Sequence, residues 1–258
     1  MSVQFTVEDN IARVTLDRPD RMNAVDEATD RELEKIWSTI ETDNTIRCVI
    51  LTGTGDRAFS AGADMKSGDS KSGLEYWVSQ NKNGFGGIAM RPNLTVPLIA
   101  RVNGLALGGG MEMVLGCDIV VATDDARFGL PEAKVGRLPL AGGMILLQRL
   151  IPQKVATGLM MTGRMMSSTE AMSYGLVNSV VPREKLDEEV NQWAEDILSC
   201  APLSVRAIKE AIQETSHLSV KEAKSLKLSA LASALVSEDS EEGVTAFLEK
   251  RAPVWRGR

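Results

Sequence analysis

The chain has 258 residues, 43% of them hydrophobic, enough for a sizeable core in one large domain or in one domain plus a helical appendage, and too apolar for a disordered chain. Its net charge of -6 repels phosphate backbones and anionic membranes, which makes nucleic acid and membrane surfaces poor partners. The first ten residues carry neither a basic flank nor an apolar run of signal-peptide length, and no uncharged segment elsewhere spans a bilayer, so a soluble, cytoplasmic protein is expected.

Val3, Phe5 and Val7 alternate with polar residues, Glu8-Asp9-Asn10 marks a turn, and Ala12, Val14 and Leu16 share one face of a second strand, so the chain is expected to open on a hairpin. From Asp26 to about Asp43, Leu33, Ile36, Trp37 and Ile40 recur at helical spacing, and the apolar run Cys48-Val-Ile-Leu51 reads as a buried strand ending in Thr-Gly-Thr-Gly. Lys66 to Pro97 differs in composition, with Gly68, Gly73, Gly84, Gly86 and Gly87 among Ser, Asn and Lys, and with Tyr76, Trp77 and Phe85 scattered through it. It reads as a surface excursion that can also wall a ligand pocket.

Pro97 to Val102 then reads as a strand, Gly108-Gly-Gly110 as a helix start and Asp118 to Ala122 as the next strand. Such alternation predicts an α/β core of short buried strands covered by helices. From about Ala141 onward the pattern is almost wholly helical, with amphipathic segments at Lys185 to Leu198, Leu203 to Thr215, Ser219 to Val236 and Ser240 to Lys250, and a breaker at Ala201-Pro202. The expected organisation is a core over 1–200 and a helical region over 201–258 that packs on that core or on a neighbouring subunit.

Cys48, Cys117 and Cys200 are odd in number and far apart, which fits reduced packing residues and neither a disulfide framework nor a zinc cluster. His217 is the single histidine, so a Ser-His-Asp triad and a multi-histidine metal site are excluded by counting, and it reads as a surface residue near a helix boundary. The phosphate-loop pattern ending in Gly-Lys-Ser/Thr is missing, and Gly53-Thr-Gly55 continues as Asp-Arg-Ala, so nucleoside triphosphate and NAD readings drop as well.

The informative stretch is Leu105 to Cys117, uncharged except for Glu112 and therefore expected to be buried. A carboxylate there costs several kcal/mol or takes up a proton. Two small-residue segments, Ala58-Phe-Ser-Ala-Gly-Ala-Asp64 and Gly108-Gly-Gly110, offer free backbone N–H groups, the second at a helix N-terminus. Converging on one oxygen, they would form an oxyanion hole. Glu112 lies one helical turn beyond Gly109, close to that pocket. Glu132 follows Gly129-Leu-Pro131 and reads either as its partner in proton exchange or as a helix-start carboxylate favoured by the dipole.

With these residues in place the chain resembles the crotonase superfamily, the enoyl-CoA hydratases and isomerases. The resemblance runs through Leu16-Asp-Arg-Pro19 with Asn23-Ala24, Ala58 to Asp64, Pro97 to Gly104, Ala106 to Glu112, Cys117-Asp118, Phe128-Gly-Leu-Pro-Glu132, Gly136 to Gly143, Gly175-Leu-Val-Asn178 and Ala246 to Arg251. It implies an α/β fold, a spiral of ββα units with a C-terminal helical trimerisation region, assembled as a trimer or a dimer of trimers. It also implies an oxyanion hole from the amides of Ala63 and Gly109, with Glu112 and Glu132 as catalytic carboxylates. Ala61, Asp64, Lys66, Gly108 and Lys250 fall on the strip that binds CoA, with Lys250 reaching a neighbour's CoA, although Lys66 and Lys250 read equally well as solvated charge. The resemblance further implies an acyl-CoA substrate, no separate cofactor and no metal.

The activity so implied is reversible hydration of an enoyl-CoA, with double-bond isomerisation at the same site as an alternative. An RNA-binding or scaffold homologue is the non-enzyme alternative, and the acidic total gives it no encouragement. Phe128 to Lys134, Met161-Thr-Gly-Arg164 and Pro253 to Arg258 look similar to carnitinyl-CoA dehydratases. A quaternary ammonium substrate of that kind would seek aromatic faces such as Tyr76, Trp77 and Phe85.

Overall fold

The structure, a computed structural model, describes residues 2–66, 73–79 and 82–258; of the glycines noted above, Gly68 lies outside them. Strands β1 (Val3–Glu8) and β2 (Ile11–Leu16) form the expected antiparallel hairpin. Asp9 and Asn10 both adopt positive φ, 48° and 65°, as a two-residue turn matched to strand twist requires. Helix α1 (Glu27–Thr42) starts where the Asp26 side chain accepts the Thr29 amide, and it buries Leu33, Trp37 and Ile40.

Next come β3 (Cys48–Gly53), β4 (Ala58–Ser60), α2 (Gly73–Val78), β5 (Leu98–Val102), β6 (Leu105–Leu107), α3 (Gly109–Leu115), β7 (Ile119–Thr123) and β8 (Arg127–Gly129). They are followed by α4 (Gly143–Leu150), α5 (Gln153–Thr162), β9 (Met165–Ser167), α6 (Ser168–Ser173) and β10 (Ser179–Val181). The chain closes with α7 (Leu186–Ser199), α8 (Pro202–Thr215), α9 (Val220–Ser225), α10 (Ser229–Leu235) and α11 (Glu238–Glu249).

The larger sheet has the order β1-β2-β3-β5-β7-β10 and is parallel apart from the first hairpin. Both of its faces are covered, which explains why its central strands read as unbroken apolar runs. Val49 and Leu51 of β3 and Leu98, Ala100 and Val102 of β5 face the main core with Trp37, Phe59 and Phe128. Their alternates Cys48, Ile50 and Ile99 face Leu186, Val190 and Ala194 of α7. The smaller sheet has the order β4-β6-β8-β9, with β4, β6 and β8 parallel and β9 antiparallel to β8.

Several expectations need correction. Residues after Ala141 are not wholly helical, because Met165–Ser167 and Ser179–Val181 pair with β8 and β7 and complete the two sheets. The small-residue segment Ala58 to Asp64, which by composition reads as a turn, begins as strand, its first three residues forming β4. The segment Ser219 to Val236 is two helices: Leu226 is extended, and Glu210 of α8 accepts the Ser229 hydroxyl and the Ala230 amide at the start of α10. Cys200 is exposed at the end of α7 and is no core residue. His217 is exposed beyond α8, as expected, and among the described residues no helix is long and apolar enough to cross a membrane.

Helix α8 is fastened to the sheet by one buried cation. Lys209 Nζ donates to the Val96 carbonyl at 2.8 Å and to Asp118 Oδ2 at 2.7 Å, and the same Asp118 oxygen accepts the Leu98 amide. Lys209→Met removes the buried donor to Val96 O and the counterion of the more exposed Asp118, and is expected to lower stability by about 1–2 kcal/mol, read as a fall in the urea midpoint.

Candidate active site

The smaller sheet determines what meets what. Ala58 pairs with Leu105 and Ser60 with Ala106, while Leu105, Ala106 and Leu107 pair with Arg127, Phe128 and Gly129. Three parallel strands thus end side by side, and each releases one candidate segment at its carboxyl end: Ala61 to Asp64 after β4, Gly108 to Glu112 after β6, and Leu130 to Glu132 after β8. Carboxyl ends of parallel strands are where open α/β sheets bind ligands. The Gly108 amide donates to the Gly129 carbonyl at 2.9 Å, which stitches the second release point to the third.

The first two segments touch. Gly62 has φ +85°, and a Cβ there would lie 2.7 Å from the Gly109 nitrogen, so only glycine permits this approach. Ala63 follows and is exposed. Its neighbours are spent on Val25: the Val25 amide donates to Gly62 O at 2.8 Å and the Asp64 amide to Val25 O at 2.9 Å. In this parallel bridge the Ala63 N–H points away from Val25, and among the described residues it has no acceptor. Gly109 is the first residue of α3, so its amide has no intrahelical partner. A side chain at Gly109 would meet the Phe85 ring, whose three outermost carbons lie 2.5 Å from that Cβ position.

Glu112 is 3% exposed. Its Oε1 accepts the amides of Ala141 and Gly143, both at 2.9 Å, and nothing among the described residues donates to Oε2. Burial pushes its pKa up to about 7; the Glu132 charge pushes the same way, while the two amides oppose them. Glu132 opens a single 3-10 turn, Glu132–Val135, behind Pro131. Burial raises its pKa too. Its Oε1 lies 3.3 Å from where a Gly108 side chain would begin, and its buried Oε2 has no hydrogen-bond partner among the described residues. Few native proteins leave a buried carboxylate oxygen unpaired.

The other candidates divide. Ala61 and Gly108 lie in the same cleft, where the Ala61 carbonyl is 3.9 Å from the Gly108 Cβ position. Asp64 is buried, and its carboxylate meets the Arg18 guanidinium at 2.9 Å and the Lys66 amide at 3.1 Å. The Lys66 side chain is exposed at the following turn. Lys250 sits apart, exposed in the left-handed conformation that ends α11, and no contact among the described residues ties it to either glutamate. The sequence did not single out Ala141 and Gly143 as holders of Glu112, nor Arg18. The only signal for the pair was the glycine doublet ahead of α4 in Pro139-Leu-Ala-Gly-Gly143.

The enoyl-CoA hydratase/isomerase family model matches residues 6–258. The chain belongs to this family. It is 40% identical to carnitinyl-CoA dehydratases of Escherichia coli (strain K12) and Citrobacter koseri over 261 aligned positions, covering 100% of this chain and 99% of each relative. Among solved structures, the enoyl-CoA hydratase of Bacillus anthracis superposes with a TM-score of 0.92 at 36% identity and full coverage of both chains. That of Mycobacterium tuberculosis gives a TM-score of 0.90 at 33% identity, covering 100% of this chain and 99% of that one. The fold is therefore the crotonase fold that the motifs implied, in a family that acts on CoA thioesters.

A buried acid with a raised pKa weakens the folded state once it must ionise. The native chain holds the Glu112 proton up to about pH 7, whereas an unfolded glutamate releases it near 4.5, so stability drops as pH rises through that window. Glu112→Gln keeps the acceptor oxygen for both amides and removes the penalty. Its stability relative to the parent is expected to grow between pH 5 and 8, by on the order of 3 kcal/mol at most, in thermal melts across that range.

Proposed function

We propose that the protein is a hydro-lyase that adds water reversibly across the Cα=Cβ bond of an enoyl-CoA thioester. The observation that carries this reading is the meeting of two amides without partners among the described residues, on Ala63 and Gly109, with one buried and one half-buried carboxylate whose pKa values are raised. The thioester oxygen accepts from both amides, which favour negative charge developing there more than the neutral carbonyl. Water attacks Cβ as its proton passes to Glu112, whose Oε1 is already held by two amides and whose Oε2 is free to act as base. The π electrons move to the Cα side, giving an enolate on the thioester oxygen. Glu132 then delivers a proton to Cα and collapses the enolate. Dehydration is the same sequence reversed.

Ala61 and Gly108 line the proposed CoA strip, with Lys66 at its exposed end and Lys250 available to a neighbouring subunit's CoA. Asp64 serves the strip through the turn it holds. A second reading concerns only the acyl group. The relatives named as carnitinyl-CoA dehydratases and the exposed ring of Trp77 on α2, 64% accessible, support a substrate bearing a quaternary ammonium.

We also propose that 201–258 serves assembly into trimers or hexamers from a core over 1–200. Ile208, Ile212, Leu235, Phe247 and Leu248 are all more than half exposed along this region, and a subunit contact would cover them. Sedimentation is expected to give three or six times the 27.9 kDa chain mass.

Crotonyl-CoA, a 3-enoyl-CoA and a trimethylammonium-bearing enoyl-CoA, followed by conjugated-thioester absorbance, test the reaction. Hydration of a 2-enoyl-CoA is expected, with Glu112→Gln and Glu132→Gln each losing at least about a hundredfold in kcat while thioester binding persists. Migration of the 3-enoyl double bond without water uptake would make the protein an isomerase instead. Because hydration needs Glu112 ionised, kcat/KM in that direction is expected to fall as pH drops below about 7. That acidic limb should vanish in Glu112→Gln.

A further inference from the structure

Arg18 takes no part in the chemistry above, yet the segment carrying Ala63 is moulded on the turn that Arg18 organises. Met22 and Asn23 in that turn both have positive φ, 53° and 54°. Asn23 Oδ1 accepts the Arg18 amide at 3.0 Å, and its Nδ2 donates to Thr54 O at 3.0 Å and to Ala58 O at 2.8 Å. The turn then receives the chain leaving β4 residue by residue. Ser60 Oγ donates to Asn23 O at 2.8 Å, the Ala61 amide to Met22 O at 2.9 Å, and Val25 pairs with Gly62 and Asp64 on either side of Ala63.

The guanidinium closes this mould. Nη1 donates to Ala24 O at 2.6 Å, and the single Nη2 lies 2.9 Å from both Asp64 Oδ2 and Asp26 Oδ2. Arg18 is mostly buried, with 18% of its side chain accessible, and Asp64 keeps only 7%. One cation therefore holds two carboxylates from segments distant in sequence, and one of those carboxylates belongs to the residue immediately after Ala63. Without it, two like charges would face each other across the position of Nη2, and Asp64 would have to move. Val25 accepts the Asp64 amide and donates to Gly62 O, so the disturbance would pass through this bridge to the Gly62–Ala63 peptide, the one that carries the Ala63 N–H.

We propose that Arg18 is a positioning residue of the oxyanion hole: through Asp64 and Asp26 it fixes the direction of the Ala63 N–H. This rests on the reading of Ala63 and Gly109 as the thioester-oxygen donors. Its signature is specific, because an aimed donor polarises the bound carbonyl and stabilises the enolate more than it binds the ground state. A fold-supporting arginine would alter stability and leave a bound carbonyl as it was.

The experiment takes the enoyl-CoA that the wild type turns over best, together with its saturated acyl-CoA analogue. Vibrational difference spectra of the bound analogue read the carbonyl stretch, and turnover and binding are measured in parallel. In the wild type the band is expected to move to lower frequency on binding. In Arg18→Met it should move back toward the free-thioester position, with kcat down about tenfold to a hundredfold and Kd for the analogue within about threefold. Arg18→Lys, which keeps the charge but not the two-nitrogen fork, should fall between the two.

Asp64→Asn keeps the side-chain shape, removes the ion pair and should shift the band in the same direction. It decides the matter alone if Arg18→Met does not fold. A wild-type-like band in the folded variants overturns the assignment, and so does a loss of turnover matched by an equal loss of binding. If the wild-type band itself does not move on binding, the oxyanion reading fails and the role of Arg18 fails with it. A shifted wild-type band that survives in the variants removes the Arg18 role alone.

Discussion

The parallel pairing of β4, β6 and β8 is the constraint on which everything functional depends. Each strand has three residues, too few for stability on its own, and their value lies in register. Because they run in the same direction, the segments they release emerge together, so residues separated by tens of positions in the chain meet within one hydrogen bond. The Gly108 amide on the Gly129 carbonyl and the close approach of Gly62 to Gly109 are the points where that register becomes a cleft. A slip of one residue in either of the two pairings would turn alternate side chains to the opposite face and separate the two amides.

Around that cleft the protein tolerates an arrangement that an ordinary core avoids. Glu112 lies among Met111, Met113, Val114 and Leu115, all at most 5% exposed, and among the described residues only two backbone amides compensate it. Both amides sit on one oxygen, so the carboxyl is fixed in direction without being fully neutralised, and its affinity for a proton comes to lie near neutrality. The cost is met elsewhere, by a large sheet buried on both faces and by α1 and α7 on its two sides. Stability is supplied by one sheet and the proposed chemistry by the other.

Much of this was legible in the sequence where a period had room to repeat. Helix α1 showed its stripe of Leu33, Trp37 and Ile40, β3 and β5 their apolar runs, and the solitary charge at Glu112 its burial. The smaller sheet was not legible, because three residues such as Ala58-Phe-Ser60 or Met165-Met-Ser167 give neither alternation nor helical spacing to read. The break at Leu226 escaped for a different reason: no glycine or proline marks it, and Glu210 imposes it from another helix. Arg18 entered only as part of Leu16-Asp-Arg-Pro19, and its partners lie 8 and 46 positions away, which local pattern cannot pair. Ala141 and Gly143 contribute main-chain groups only, so their side-chain identities carried almost no trace of the role.

The two donors on Glu112 Oε1 come from the peptide backbone, as do the proposed donors at Ala63 and Gly109. No side-chain replacement can delete a peptide N–H, apart from proline, so the groups that orient the acid and receive the oxygen are shielded from most point mutation. Variation is then free to act on what surrounds them, including Phe85 beside Gly109, without dismantling the proposed reactive centre. A scaffold built this way can change which acyl group it admits in small steps, and each intermediate keeps working machinery.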